Sequence, residues 1–190
     1  MQNKHVRDLK KIFILFFLIA ILYNIYYSAF VQKRYFYPFP YSTTISSTAK
    51  LYNINKYLVL AVIKNESKFK ENARSENGAL GLMQIMPDTG KWIMQQTKGG
   101  KFNDNILLDP DTNIKFGSWY LSELQNEFHG NEILALAAYN AGRGNVRSWI
   151  DKYGWQVDFS DINAIPFKET QIYIRRIMHD KQMYAKYYKK

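Results

Sequence analysis

Glu66 is the residue of this chain best placed to do acid–base chemistry. It follows the apolar run Tyr57-Leu58-Val59-Leu60-Ala61-Val62-Ile63 and has a hydroxyl beside it at Ser67. A carboxyl group at the end of a buried helix loses hydration, which lifts its pKa toward the range useful for donating a proton. Ser75 and Gln84 follow, the latter inside Gly81-Leu82-Met83-Gln84-Ile85-Met86-Pro87. Other catalytic apparatus is missing from the sequence. With no cysteine, thiol nucleophiles and Cys-ligated metals are excluded. His5, His129 and His179 are widely separated, with no His-Glu-x-x-His pair, so no metal and no cofactor are expected. A nucleophile elbow of the type Gly-x-Ser-x-Gly is absent, and Gly142-Arg143-Gly144 is too short for a phosphate-cradling loop. What remains is one carboxylate among Gln, Asn, Ser and Tyr side chains. These suit a sugar, through hydrogen bonds to hydroxyl and acetamido groups and through flat apolar ring faces.

The elements that must position Glu66 read as helices. Asn55 is a suitable N-cap for a helix running to Glu66, and a shorter helix over about residues 45–52 precedes it. Residues 70–78 form a polar loop, with Gly78 and Gly81 allowing tight or left-handed backbone. Asp88-Thr89 is expected to cap a helix to about Gln96. Pro110 sits at the first position of another helix, which carries an apolar face of Ile114, Gly117 or Ser118, Leu121, Leu124 and Phe128 and stops at Gly130. Asn131 caps the Ala-rich segment 133–142, whose apolar character places it centrally. A short helix at 146–151, an irregular stretch at 154–165 and a final helix opened by Pro166 complete the chain. No period-2 alternation bounded by hairpin turns occurs, so the fold class is all-α.

Ahead of this domain, residues 12–31 are twenty residues without a charge. At 1.5 Å per residue they extend about 30 Å, the thickness of a bilayer core. Tyr23, Tyr26 and Tyr27 gather at the far end, as an interfacial aromatic belt does, and four basic residues precede the run. Residues 1–11 are therefore expected in the cytoplasm, 12–31 as a single-pass transmembrane signal anchor, 32–44 as a tether stiffened by Pro38 and Pro40, and 45–190 as the folded domain outside the cell. Tyr27-Ser28-Ala29 lacks the paired small residues of a cleavage site. The chain carries a formal charge of +10; beyond residue 31 there are 22 basic and 15 acidic residues, a charge of +7 that belongs to the domain itself. That excess suits anionic wall polymers or lipid headgroups, whereas nucleic acid is not expected for a domain outside the cell.

Several separate segments carry a family resemblance in the same order along the chain. Glu66-Ser67, Gly78-Ala79-Leu80-Gly81-Leu82-Met83-Gln84-Ile85-Met86-Pro87, Asp109-Pro110 with Asn113-Ile114, Ala137-Ala138-Tyr139-Asn140-Ala141-Gly142 and the ending Ile165-Pro166-Phe167-Lys168-Glu169-Thr170-Gln171 with Tyr173 resemble the bacterial soluble-lytic-transglycosylase family over roughly residues 45–187. The resemblance implies a goose-type-lysozyme-like helical catalytic domain that binds peptidoglycan glycan strands. It implies cleavage of the bond between N-acetylmuramic acid and N-acetylglucosamine without hydrolysis. Glu66 would be the sole acid and then base, and the muramoyl C6 hydroxyl the nucleophile that closes a 1,6-anhydro ring. The positions matching Ser75, Gln84, Tyr139 and Asn140 would line the sugar cleft, and Glu169 and Tyr173 would support or contact it. Ser67, Gly81 and Met83 would be structural at the site, with Met83 in the core. Two departures bear on substrate preference: Lys70-Glu71 follows Phe69 where the family often has Asn-Pro, and Gln171 replaces a frequent Arg. Two other readings stay open, a muramidase that activates water on the same fold and a non-enzymatic wall-binding or secretion-assembly module.

Overall fold

The structure is a computed structural model that describes the backbone from Gln2 to Lys189 and the side chains from Asp8 onward. All regular structure among the described residues is helical, apart from isolated bridges pairing Arg74 with Leu80 and Leu80 with Ile85. The chain divides into two compact units, residues 1–39 and 40–190.

The first unit is dominated by α1 (Gln2–Tyr27), whose segment Asp8–Tyr27 is long and apolar enough to cross a membrane, with mean hydropathy 1.9. The apolar run does not continue as one helix to Val31. At Ser28 the backbone turns extended (φ −61°, ψ 143°), and its Oγ donates to the Ile25 carbonyl and accepts from the Val31 amide, capping the single turn α2 (Ala29–Val31). Local side-chain bonding thus competes with helix continuation. The expected tether is shorter than residues 32–44. A wide turn of helix occupies Gln32–Phe36, the next helix begins at Ser42, and only the segment around Pro38 and Pro40 is non-helical.

The second unit holds α3 (Ser42–Leu51), α4 (Lys56–Ser67), α5 (Pro87–Gln96), α6 (Pro110–Glu127), α7 (Glu132–Ala141), α8 (Arg143–Tyr153) and α9 (Lys168–Tyr188). Side-chain caps set three of the starts. Asn55 accepts from the Tyr57 amide, Asp109 from Thr112 with Pro110 at the first position, and Asn131 from Leu134. The start of α5 differs from expectation: Met86 is its cap residue and Pro87 its first residue, so Asp88 lies in the first turn, where its charge complements the helix dipole. Helix α8 is longer than the expected 146–151, because Gly144 continues the helix instead of ending it.

The core sits where α4 packs along α9 and α7 packs against α6, α8 and α9. Leu58 to Ile63 of α4 are all buried, as are Leu134 to Ala138 of α7. A helix buried on every side is apolar all round, as these two are. Among the polar side chains in this core is Asn113 on α6, fully buried. Its Nδ2 donates to the carbonyls of Leu80 (2.9 Å) and Leu107 (2.7 Å), and its Oδ1 accepts from the Met83 amide at 2.7 Å. One side chain thereby fixes the loop 80–84 against α6 and satisfies three buried backbone groups.

Candidate active site

Glu66 lies in the last turn of α4, half-buried, on the wall of a cavity of about 530 Å³. Asn140 at the end of α7 and Glu169, Ile172, Tyr173 and Arg176 from one stripe of α9 line the same cavity, together with Asn65. A larger cavity of about 670 Å³, lined by Pro87, Asp88 and Asp104 among others, contains none of the candidate residues.

The Tyr173 hydroxyl donates to Glu66 Oε1 at 2.6 Å, so Oε2 is the oxygen without a protein partner among the described residues. Burial pushes the Glu66 carboxyl up to about 7, opposed by the Tyr173 hydrogen bond, which stabilises the carboxylate. An acid poised there is populated in both protonation states near neutral pH, as a group that first gives and then takes a proton needs. Burial and the charge of Glu66 raise both Tyr173 and Tyr139 well above 10, so both phenols stay neutral donors. Tyr139 spends its proton on the Met83 carbonyl, at 2.8 Å, tying α7 to the loop 80–84.

Neighbouring hydrogen bonds fix the helices that carry this pair. Buried Asp180 on α9 accepts from Lys64 Nζ (2.7 Å) and Asn65 Nδ2 (2.8 Å), locking α4 to α9 beside Glu66. Asn140 Oδ1 accepts from the Thr170 hydroxyl at 2.7 Å, joining α7 to α9. Gln171 donates to the carbonyls of Asn163 and Ile165, so this side chain holds the segment before α9 rather than facing the cavity.

The remaining sequence candidates lie around the loop 70–84. Gln84 has a left-handed backbone (φ 48°), and its Nε2 donates to the Gly81 carbonyl at 2.8 Å and the Ala73 carbonyl at 3.3 Å. Ser75 is exposed, and its Oγ accepts from the Ala79 amide, closing the turn 75–79. Gly81 (φ 76°) has no room for a side chain, since a Cβ would collide with the Leu107 carbonyl and the Asn113 amide. Met83 is fully buried against Gly117, and Ser67 is buried with its hydroxyl on the Ile63 carbonyl. Ser75, Gln84, Tyr139, Gly81, Met83 and Ser67 are not among the residues lining the Glu66 cavity. Sequence reasoning does not single out Asn65, Asn113, Arg176 or Asp180 as site residues. Arg176 has a usable signal, its spacing of three from Tyr173 on one helix; Asp180 has none, being 115 residues from Asn65. Among the described residues no group of three or more His, Cys, Asp or Glu side chains could hold a metal ion.

Together these features describe an all-helical, lysozyme-like domain with a single desolvated glutamic acid at an open cavity. Residues 43–162 match the family described as Transglycosylase SLT domain. The soluble lytic murein transglycosylase of Escherichia coli (strain K12) is 33% identical over 144 residues, covering 75% of this chain and 22% of that protein. The membrane-bound lytic murein transglycosylase C of Serratia proteamaculans is 36% identical over 115 residues, covering 56% and 32%. Among solved structures, the 70 kDa soluble lytic transglycosylase of Escherichia coli aligns with a TM-score of 0.76 at 32% identity, covering 82% of this chain and 25% of that one. An inactive glutamate-to-glutamine mutant of the lytic transglycosylase Slt from Pseudomonas aeruginosa aligns with a TM-score of 0.71 at 33% identity, covering 82% and 26%. The chain belongs to the transglycosylase SLT domain family, and it spans about a quarter of the length of these soluble relatives.

Proposed function

We propose that this protein is a lytic transglycosylase of peptidoglycan in which Glu66 serves as acid and then as base. The observation that carries the reading is the state of Glu66: a carboxyl held protonated up to about 7 by burial, with Oε1 fixed by Tyr173 and Oε2 unpartnered among the described residues. In the first half of the reaction Oε2–H protonates the glycosidic oxygen as the bond to the muramoyl C1 breaks. In the second half the carboxylate takes the proton of the muramoyl C6 hydroxyl as its oxygen attacks C1, closing the 1,6-anhydro ring and returning Glu66 to its protonated form. No water is consumed, and the nucleophile belongs to the substrate.

A glycosidase with a nucleophilic carboxylate needs the second group about 5 Å from the first. Glu169, the other carboxylate lining this cavity, is exposed, whereas Glu66 is the desolvated acid, and that difference supports a one-carboxylate route. Names of relatives point the same way: one is a mutant described as inactive after a single Glu-to-Gln exchange. Removing the proton donor by Glu66→Gln is expected to lower clearing of purified sacculi at least about a hundredfold. Unchanged clearing by that variant would remove Glu66 from the mechanism and favour a wall-binding module.

The same reading places α1 across the cytoplasmic membrane with the basic N-terminus inside, which puts the domain against the wall. The full absence of cysteine allows a direct check. A cysteine introduced by Glu76→Cys in the exposed loop would react with a membrane-impermeant maleimide in intact cells; reaction only after lysis would reverse the orientation.

A further inference from the structure

The Glu66 cavity contains a cation that the proton transfers do not use. Arg176 follows Tyr173 by three residues on α9 and lines the cavity from the same helical stripe. It is exposed, and among the described residues it has no hydrogen-bond or ion-pair partner. The other arginines near it in sequence or charge are engaged: Arg143 and Arg147 both bind Glu127, and Arg175 donates to Asn163 Oδ1 at 2.7 Å. Glu169, the second acid on the stripe, sits seven residues away, about 10 Å along the helix axis. Arg176 makes no ion pair with Glu66, whose Oε1 is held by Tyr173, so its guanidinium faces the cavity available to a ligand.

We infer that Arg176 is a specificity residue that binds a carboxylate carried by the muramoyl 3-substituent; this rests on the peptidoglycan reading above. N-acetylglucosamine is uncharged. The muramoyl residue alone carries an acid, off the ring and away from the bond that is cut. In strands stripped of peptide that acid is the lactyl carboxylate. Where a stem peptide is attached the lactyl group is an amide, and the free carboxylates belong to the peptide. Both present the same planar anion, which the guanidinium fork matches with two parallel hydrogen bonds.

The test uses the full chain in detergent, in a Glu66→Gln background that prevents turnover, with Arg176→Gln added. Affinities are measured by calorimetry for three ligands: chitotetraose, a peptide-free oligomer of the alternating murein disaccharide, and the same oligomer bearing stem peptides. The expected result is a loss of about five- to tenfold on at least one charged oligomer, with chitotetraose within twofold, in line with one charge-assisted contact in a half-open cleft. The oligomer that loses more identifies the carboxylate, lactyl or peptide. Arg176→Lys should recover part of the loss. Equal losses on all three ligands, or no loss on either charged one, would overturn the assignment. If the parent bound none of the three, the glycan reading itself would fall; if the parent bound them and Arg176→Gln changed nothing, only this assignment would.

Discussion

Replacing Glu66 by glutamine should alter stability in a pH-dependent way that follows from its desolvation. The folded carboxyl titrates at about 7, against an ordinary value of 4.5 for the free group. Between those values the folded chain binds more protons than the unfolded one, so stability falls as pH rises through the window. Below about 4.5 both states are protonated and the site costs nothing; above about 7 the folded state must hold a desolvated anion. A gap of roughly 2.5 units at 1.36 kcal/mol per unit gives about 3 kcal/mol lost across the window. The glutamine amide does not titrate, so the stability of Glu66→Gln relative to the parent should rise by about 3 kcal/mol from about pH 4.5 to about pH 7.5. Taking the difference cancels every group the two proteins share. For a domain of this size that is a relative shift in melting temperature of about 10 °C. The assay is urea unfolding followed by tryptophan fluorescence, since all four tryptophans (92, 119, 149 and 155) lie in the second unit and the apolar N-terminal helix contributes none. A difference that stayed flat across that pH window would refute the desolvated-acid argument, whatever its absolute size.

Tyr173→Phe removes the hydrogen bond that stabilises the Glu66 carboxylate, so the Glu66 pKa should rise further and the basic limb of the pH–kcat/KM profile should move to higher pH; a downward move would contradict this assignment. Asn113→Ala strands three buried backbone groups and should cost about 3 kcal/mol or more in chemical unfolding, with activity lost through loop 80–84. Gly81→Ala forces a side chain into the Leu107 carbonyl and the Asn113 amide at a positive φ. It should destabilise by about 3 kcal/mol, measured in the same assay.

Much of the helical framework was legible because its starts are chemical signals. Asn55, Asp109 and Asn131 cap helices through their own side chains, and Pro110 occupies a first turn. Boundaries failed where the signals were equivocal. Gly144 breaks many helices but here continues α8, and Ser28 ends α1 through a local hydroxyl bond inside an otherwise apolar run. At the site, the apolar run before Glu66 carried the expectation of a raised pKa, since desolvation follows directly from burial. The partners of that carboxyl were harder to read from the residues alone. Tyr173 stands 107 residues from Glu66, and Asn113 reaches back 30 residues to Met83. Such meetings depend on how α4, α6 and α9 cross, which no local pattern encodes; the family resemblance pointed to Tyr173, and the spacing of three from Tyr173 could have pointed to Arg176, while Asp180 needed the packed helices to be seen.

What distinguishes the proposed reaction from hydrolysis is that the substrate's own hydroxyl, and not water, completes the step begun by Glu66. Mass spectrometry of sacculi digested by the full chain in detergent tests it directly. The expected products are muramoyl ends one water lighter than hydrolytic products, resistant to borohydride reduction and absent with Glu66→Gln. Reducible ends carrying oxygen from isotopically labelled water would contradict it and identify the protein as a muramidase.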